Sequence, residues 1–125
     1  MTTSPTPAHR TPRFELDAAT AKRIKAEVLA LSGVADLSSG TFGEVSVLFA
    51  GERVTGICKP LPREDTAIEI HVVVDVSAEK VLQLLADEIR AAALGACPEL
   101  LRVDVTFADA VSGAEAAEIA EARHA

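Results

Sequence analysis

The amino-acid sequence predicts an α+β fold, with a small mixed β-sheet and two helices packed on one face of that sheet. Apolar residues occupy every second position from Ile68 to Val76, which is the period of a strand with one buried face. Apolar residues recur at helical spacing from Val81 to Ala92, and the two-residue alternation returns from Val103 to Phe107. A strand, a helix and a strand in this order favour parallel, right-handed pairing of the two strands in one sheet.

The composition restricts both the number of domains and the class of partner. With 125 residues, 49% of them hydrophobic, the chain is long enough for one domain with a buried core and short for two. The 19 acidic and 12 basic side chains give a net charge of −7, which argues against free nucleic acid or anionic lipid as a direct partner. No apolar run approaches the roughly 20 residues that span a bilayer, and the N-terminus lacks an apolar signal core. The sequence therefore predicts a cytoplasmic protein with no direct membrane insertion.

The N-terminal part is predicted to be a tail followed by one helix. Residues 1–14 are expected to form a disordered tail, because they hold three of the six prolines and little to bury. Asp17 is expected to cap a first helix that runs to about Ser32. Gly33 stands where a helix-terminating glycine is expected, and residues 34–37 are predicted to be extended.

A hairpin is predicted next, with its strands at Val45–Phe49 and Val54–Lys59 joined through Ala50-Gly51-Glu52. Gly56 interrupts the second strand and indicates a bulge. After the central strand, Ser77 is predicted to cap the second helix, with Val81, Leu84, Leu85, Ile89 and Ala92 on its buried side and an end near residues 93–95.

The C-terminal part is predicted to be weakly structured. The α+β domain is expected to span residues 15–109, and residues 110–125 to form a weak C-terminal helix or tail that begins at Ser112-Gly113. Ile119 is the one bulky apolar residue in it, so such a helix is marginal in water unless it docks on another surface.

The polar side of the central strand carries the candidate site residues. Glu69, His71 and Asp75 share one face of that strand, and Asp104 is expected on the same face of the neighbouring strand. We predict that these four residues form a partner surface, and a small-ligand or metal site around His71 is the alternative. An open sheet face lacks the concavity that catalysis needs. The sequence therefore predicts no catalytic residues, no cofactor and no specific metal ligands.

Two cysteines and one glycine-containing loop are further candidate features. Cys58 and Cys97 lack CxxC spacing and a second cysteine pair, so they are predicted to be reduced structural thiols instead of zinc ligands. Gly40-Thr41-Phe42-Gly43 spells the GxxG of KH-type RNA-binding loops, but here it precedes a strand and lacks a flanking Lys or Arg. RNA binding through this loop is therefore the third-ranked hypothesis for the function of this chain.

Four segments in a fixed order carry a family resemblance: residues 31–37 (LSGVADL), 67–74 (AIEIHVVV), 85–92 (LADEIRAA) and 102–107 (RVDVTF). Together they resemble the alkaline shock protein family, small bacterial envelope stress response proteins, over about residues 15–109. The resemblance implies a non-enzymatic protein–protein interaction or scaffolding module at the cytoplasmic side of the membrane. It also implies self-association or recruitment by a membrane-anchored protein partner. The family supplies no catalytic residues to carry over.

Overall fold

The computed structural model describes residues 13–124. The predicted tail at residues 1–14 lies outside the described residues except for Arg13 and Phe14. The described chain contains three α-helices: α1 (Ala18–Leu29), α2 (Leu82–Ala96) and α3 (Gly113–His124). Its six strands are β1 (Val34–Leu37), β2 (Ser46–Phe49), β3 (Glu52–Thr55), β4 (Ile57–Cys58), β5 (Ala67–Asp75) and β6 (Arg102–Val111). The predicted α+β fold is confirmed.

Strand β5 is the centre of a mixed four-stranded sheet. Along one side it pairs in parallel with β6 over its whole length, as predicted for two strands joined through a helix. Along its other side it pairs antiparallel with the short strands β4 and β1, one after the other. Strands β2 and β3 form a separate two-stranded hairpin.

The core lies between the sheet and the two helices α1 and α2. Ile68, Ile70 and Val72 of β5 are fully buried, and the residues between them are only partly buried. They belong to one apolar cluster with Ile24 and Val28 of α1 and with Leu85 and Ile89 of α2. Burial of such side chains contributes about 1.5–3 kcal/mol each, so the helix-covered face of β5 is a major source of stability.

The start of α1 matches the sequence prediction, because the Asp17 carboxylate accepts a hydrogen bond from the backbone N–H of Thr20 (2.8 Å). The start of α2 does not, and the predicted Ser77 cap is wrong. Ser77 lies in a 3-10 turn, where the Asp75 carboxylate accepts bonds from its N–H (2.9 Å) and its hydroxyl (2.6 Å). The helix begins only at Leu82, after Val81.

The buried side of α2 differs in part from the prediction. Val81 and Leu84, predicted on the buried side, are 61% and 59% exposed. The side that faces the core contains Leu85 and Ile89, as predicted, together with Ala86, Ala93 and Ala96. Leu85 and Ile89 agree with the predicted helical period, but Val81 precedes the first residue of the helix and Leu84 lies on its exposed side.

The predicted second strand of the hairpin is divided into two strands that belong to different sheets. Strand β3 ends at Thr55, Gly56 adopts a positive φ of +90°, and β4 then pairs with β5. A Cβ atom on Gly56 would lie 2.4 Å from the Leu37 Cβ, so a side chain does not fit there. The glycine that indicated a bulge is therefore the point where the chain changes sheets.

The C-terminal region is more regular than the sequence predicted. Strand β6 continues past Phe107 to Val111, with an irregularity in its pairing near residue 108. Ser112 and Glu115 then form a reciprocal cap, in which each backbone N–H donates to the other side chain (3.2 Å each). Helix α3 follows and packs beside β1, where Arg123 Nη1 donates to the carbonyl oxygen of Ala35 (3.0 Å).

Candidate functional site

The face of the β5–β6 pair that points away from α1 and α2 is called the outer face here, and it carries the polar residues Glu69, His71, Asp75, Asp104 and Thr106. All five are partly buried. The helix-covered face and the outer face alternate along each strand because successive side chains point to opposite sides of a sheet.

Glu69 and His71 form the closest polar pair on the outer face. His71 Nε2 lies 2.7 Å from Glu69 Oε1, and the two side chains are 20% and 31% exposed respectively. The residues are two positions apart on one strand, so the strand itself places both side chains on the same face. This pair is held by a regular backbone instead of a loop.

Asp104 and Asp75, the other two residues of the predicted partner surface, are engaged elsewhere. Asp104 is directly opposite Glu69 in the β5–β6 register, but its carboxylate pairs with Arg102 (2.7 Å from Nη2). Asp75 lies at the end of β5 and binds Ser77. The predicted surface therefore contains one close pair, with an ion pair beside it and a turn at its far end.

Cys58 joins the Glu69–His71 pair and was missed by the sequence analysis. Strand β4 places Cys58 directly opposite Glu69, and its Sγ donates to Glu69 Oε1 at 3.6 Å. The Cys58 Sγ, a Glu69 oxygen and a His71 ring nitrogen all lie within 4.8 Å of one another. The only sequence signal was the position of Cys58 two residues after Gly56, and its pairing with β5 follows from the tertiary structure.

The environment of Cys58 makes a free thiolate unfavourable. Burial first, and then the negative charge of Glu69, raise the pKa of the Cys58 thiol to about 11. At neutral pH the thiol is protonated, so in this state it is a poor nucleophile. Cys58, Glu69 and His71 thus form a cluster of sulfur, oxygen and nitrogen ligand atoms, in which a bound cation would supply the positive charge that a Cys58 thiolate needs.

The second cysteine is a useful contrast. Cys97 is buried at the end of α2, and its Sγ lies 3.6 Å from the Glu99 carboxylate. Burial, followed by the hydrogen bond with Glu99, raises the pKa of its thiol as well. Among the described residues no histidine joins this pair in a possible metal cluster. Cys97 therefore agrees with the predicted role of a structural thiol.

A different surface runs along the free edge of β6, which is the edge that does not pair with β5. Within residues 13–124, β6 pairs only with β5, so its other edge has no strand beside it. Next to this edge, between β6 and the start of α2, lies a cavity of about 490 Å³. Its lining includes Val74, Val76, Lys80, Leu82, Phe107 and Asp109.

Comparisons with known proteins give no relative for this chain. No protein-family model matches it, and neither the curated proteins nor the solved structures contain a match. Over the described residues, no helix combines the length and apolar character needed to cross a membrane. The resemblance to the alkaline shock protein family therefore stays a prediction.

Proposed function

We propose that this chain is a non-enzymatic protein–protein interaction module that self-associates through the free edge of β6. The observation that carries this proposal is the edge itself, a strand of ten residues with no neighbour on one side within the described chain. Long edge strands offer unpaired backbone groups to another chain, and proteins commonly protect them with proline or lysine. Strand β6 contains neither residue.

The backbone groups available at this edge can be assigned from the pairing. Arg102 donates its N–H to the Thr66 carbonyl oxygen on the β5 side (3.1 Å). Because backbone groups alternate along a strand, those of Val103, Val105 and Phe107 point away from β5. The carbonyl oxygen of Val103 already accepts a bond from Arg90 Nε (3.2 Å). Val105 and Phe107 are therefore the residues whose backbone groups can accept a new strand.

A second copy of the same edge is a suitable partner. In an antiparallel pair related by a two-fold axis at Thr106, Val105 of each copy lies opposite Phe107 of the other. The two Thr106 side chains meet on the outer face, where Thr–Thr pairs are favourable. Asp104 lies opposite Ala108, so this register opposes no like charges and leaves the Arg90–Val103 bond intact.

The cavity beside the edge supports strand addition. Added strands bind through backbone hydrogen bonds, and their alternate side chains enter adjacent pockets. The Leu82 and Phe107 side chains line such a pocket on the helix-covered side. In the paired dimer the second copy's Val105 and Phe107 lie over this apolar surface.

The first experiment measures the oligomeric state by sedimentation velocity across a range of concentrations. We expect the wild-type chain to form a dimer and Val105→Pro to be monomeric, because proline removes a donor that faces outward and leaves the β5 ladder intact. Circular dichroism has to show that the variant retains its fold. A wild-type chain that is monomeric at every concentration contradicts the proposal.

A second variant, Thr106→Lys, tests the register without changing the backbone. It places two like charges opposite each other at the two-fold axis, so we expect it to weaken the dimer. Leu48→Lys is the matched control, since it adds the same charge on an exposed position of the hairpin. Equal dimerisation of Thr106→Lys and the wild-type chain would exclude the β6 edge as the interface.

The family resemblance predicts the setting of this module, an envelope stress response at the cytoplasmic side of the membrane with a membrane-anchored protein partner. The net charge of −7 is compatible with recruitment by a protein instead of by anionic lipid. Fractionation of cells that express the chain with its chromosomal neighbours tests this. We expect part of the chain in the membrane fraction, and its complete absence there contradicts this role.

A further inference from the structure

We propose that Cys58, Glu69 and His71 form a binding site for a borderline-soft divalent metal ion of the Zn²⁺ class. This site is separate from the β6 edge and does not depend on self-association. The sulfur, carboxylate oxygen and imidazole nitrogen that converge here are the three kinds of side-chain ligand that zinc sites use. A catalytic-type zinc site has three protein ligands and one open position, which matches the number of ligands in the cluster.

The spacing of the ligand atoms is close to what zinc requires. In a tetrahedral site with Zn–S of about 2.3 Å and Zn–O of about 2.1 Å, the sulfur and oxygen lie roughly 3.6 Å apart. Cys58 Sγ and Glu69 Oε1 are 3.6 Å apart in the protein. His71 Nε2 and Glu69 Oε1, at 2.7 Å, have to separate to roughly 3.4 Å, so metal binding requires a small movement of one of these two side chains.

The strand pairing holds the cluster in place. Cys58 is opposite Glu69 in the antiparallel β4–β5 pair, and Glu69 and His71 are alternate residues of one strand. The backbone N–H of His71 also donates to the Gly56 carbonyl oxygen (3.0 Å), which fixes the entry of β4. Sites on regular strands are positioned more accurately than sites on loops. Metal binding therefore needs side-chain rotations and no rearrangement of the backbone.

Charge also favours an ion at this position. The ion displaces the Cys58 thiol proton into solvent as it binds. The resulting Cys58 thiolate and the Glu69 carboxylate together balance the two positive charges of the ion, and His71 binds as a neutral ligand. Half-buried charges are tolerated when they are paired or coordinate a metal. Asp104 is paired with Arg102, so the metal ligands are Cys58, Glu69 and His71 alone.

The experiment uses Co²⁺ as a spectroscopic probe and then Zn²⁺ as a competitor. The full chain is reduced, stripped of metal with a chelator and titrated with Co²⁺. We expect one equivalent to bind with a thiolate-to-cobalt charge-transfer band and tetrahedral d–d bands, and we expect Zn²⁺ to displace it. A wild-type chain that develops neither band, or that binds without a fixed stoichiometry, overturns the proposal.

Cys58→Ser is the decisive variant, and Cys97→Ala is its matched control. Cys58→Ser is expected to lose the charge-transfer band and to bind Zn²⁺ about 100-fold more weakly, since even outer residues of a metal site contribute 10–100-fold. Cys97→Ala is expected to bind as the wild-type chain does. Unchanged binding by Cys58→Ser overturns the proposal.

His71→Gln gives a second measurement that does not depend on how Cys58→Ser folds. Its charge-transfer band is expected to remain, because the thiolate is still present, but at a Co²⁺ concentration about 100-fold higher. Binding at the wild-type concentration would show that His71 is not a ligand. Dimer formation is measured on the same samples, so failure of the metal site is distinguishable from failure of the β6 interface.

Discussion

The two faces of β5 are built from alternate residues of one nine-residue strand, yet they differ in burial and in polarity. The helix-covered face contains Ile68, Ile70 and Val72, which are fully buried against two helices. The outer face contains Glu69 and His71, which are half-buried and hydrogen-bonded to each other. The first face therefore stabilises the strand, and the same rigid backbone holds the polar side chains of the second face in a fixed arrangement.

The largest expected effect comes from the helix-covered face. Ile70→Ala is expected to lower the free energy of unfolding by about 2–5 kcal/mol, because it removes a fully buried side chain and leaves a cavity. Urea unfolding followed by circular dichroism measures it. Adjacent valines supply a matched control, since Val72 is fully buried and Val73 lies on the outer face. If Val73→Ala were to cost as much as Val72→Ala, the two faces would contribute equally and the comparison would be wrong.

A slightly smaller effect is expected at Gly56, where the chain passes from the hairpin to the edge of β5. Gly56→Ala is expected to lower the free energy of unfolding by about 2–4 kcal/mol, because it combines a positive φ with a clash against Leu37. Gly51 has a positive φ of +80° but open space around it, so Gly51→Ala reports the backbone strain alone, at about 1 kcal/mol. Equal costs for the two variants, measured by urea unfolding, would show that Leu37 moves away without penalty.

The smallest effect is expected from a polar anchor outside both faces. Asp65 accepts bonds from Lys59 Nζ (2.6 Å) and from the Leu16 N–H (2.6 Å). Burial acts to raise the pKa of the Asp65 carboxyl, but Lys59 and the Leu16 N–H outweigh it and hold that pKa below its usual value. Asp65→Asn is therefore expected to lower the free energy of unfolding by about 1 kcal/mol at pH 7.

The lowered pKa of Asp65 determines how its contribution to the free energy of unfolding depends on pH. A carboxyl whose pKa is lowered in the folded state stabilises the protein above its unfolded pKa of about 3.9, and the contribution disappears as the pH falls through the folded pKa. The difference between the wild-type chain and Asp65→Asn should be constant from pH 7 to about pH 5 and should shrink below pH 4. Urea unfolding at each pH measures it, and a difference that grows in acid would contradict the assignment.

Most of the fold could be predicted from the sequence because it depends on local periodicity. The alternation in β5, the Asp17 cap of α1 and the parallel pairing of β5 with β6 all follow from short patterns and one topological rule. The boundary of α2 could not be predicted in this way. Ser77 is a good helix cap by residue type, but Asp75, two residues earlier, takes its N–H and its hydroxyl into a turn.

The candidate site divides in the same manner. The sequence alone determined that Glu69 and His71 share one side of a strand, since the two-residue period of a strand does not depend on which strands lie beside it. Only the tertiary structure decided that Cys58 stands opposite Glu69, because the register of two strands separated by a loop is fixed by packing around Gly56 and Leu37. Side-chain direction is a local property of the backbone, whereas the pairing of ligand atoms from different strands depends on how the whole core closes.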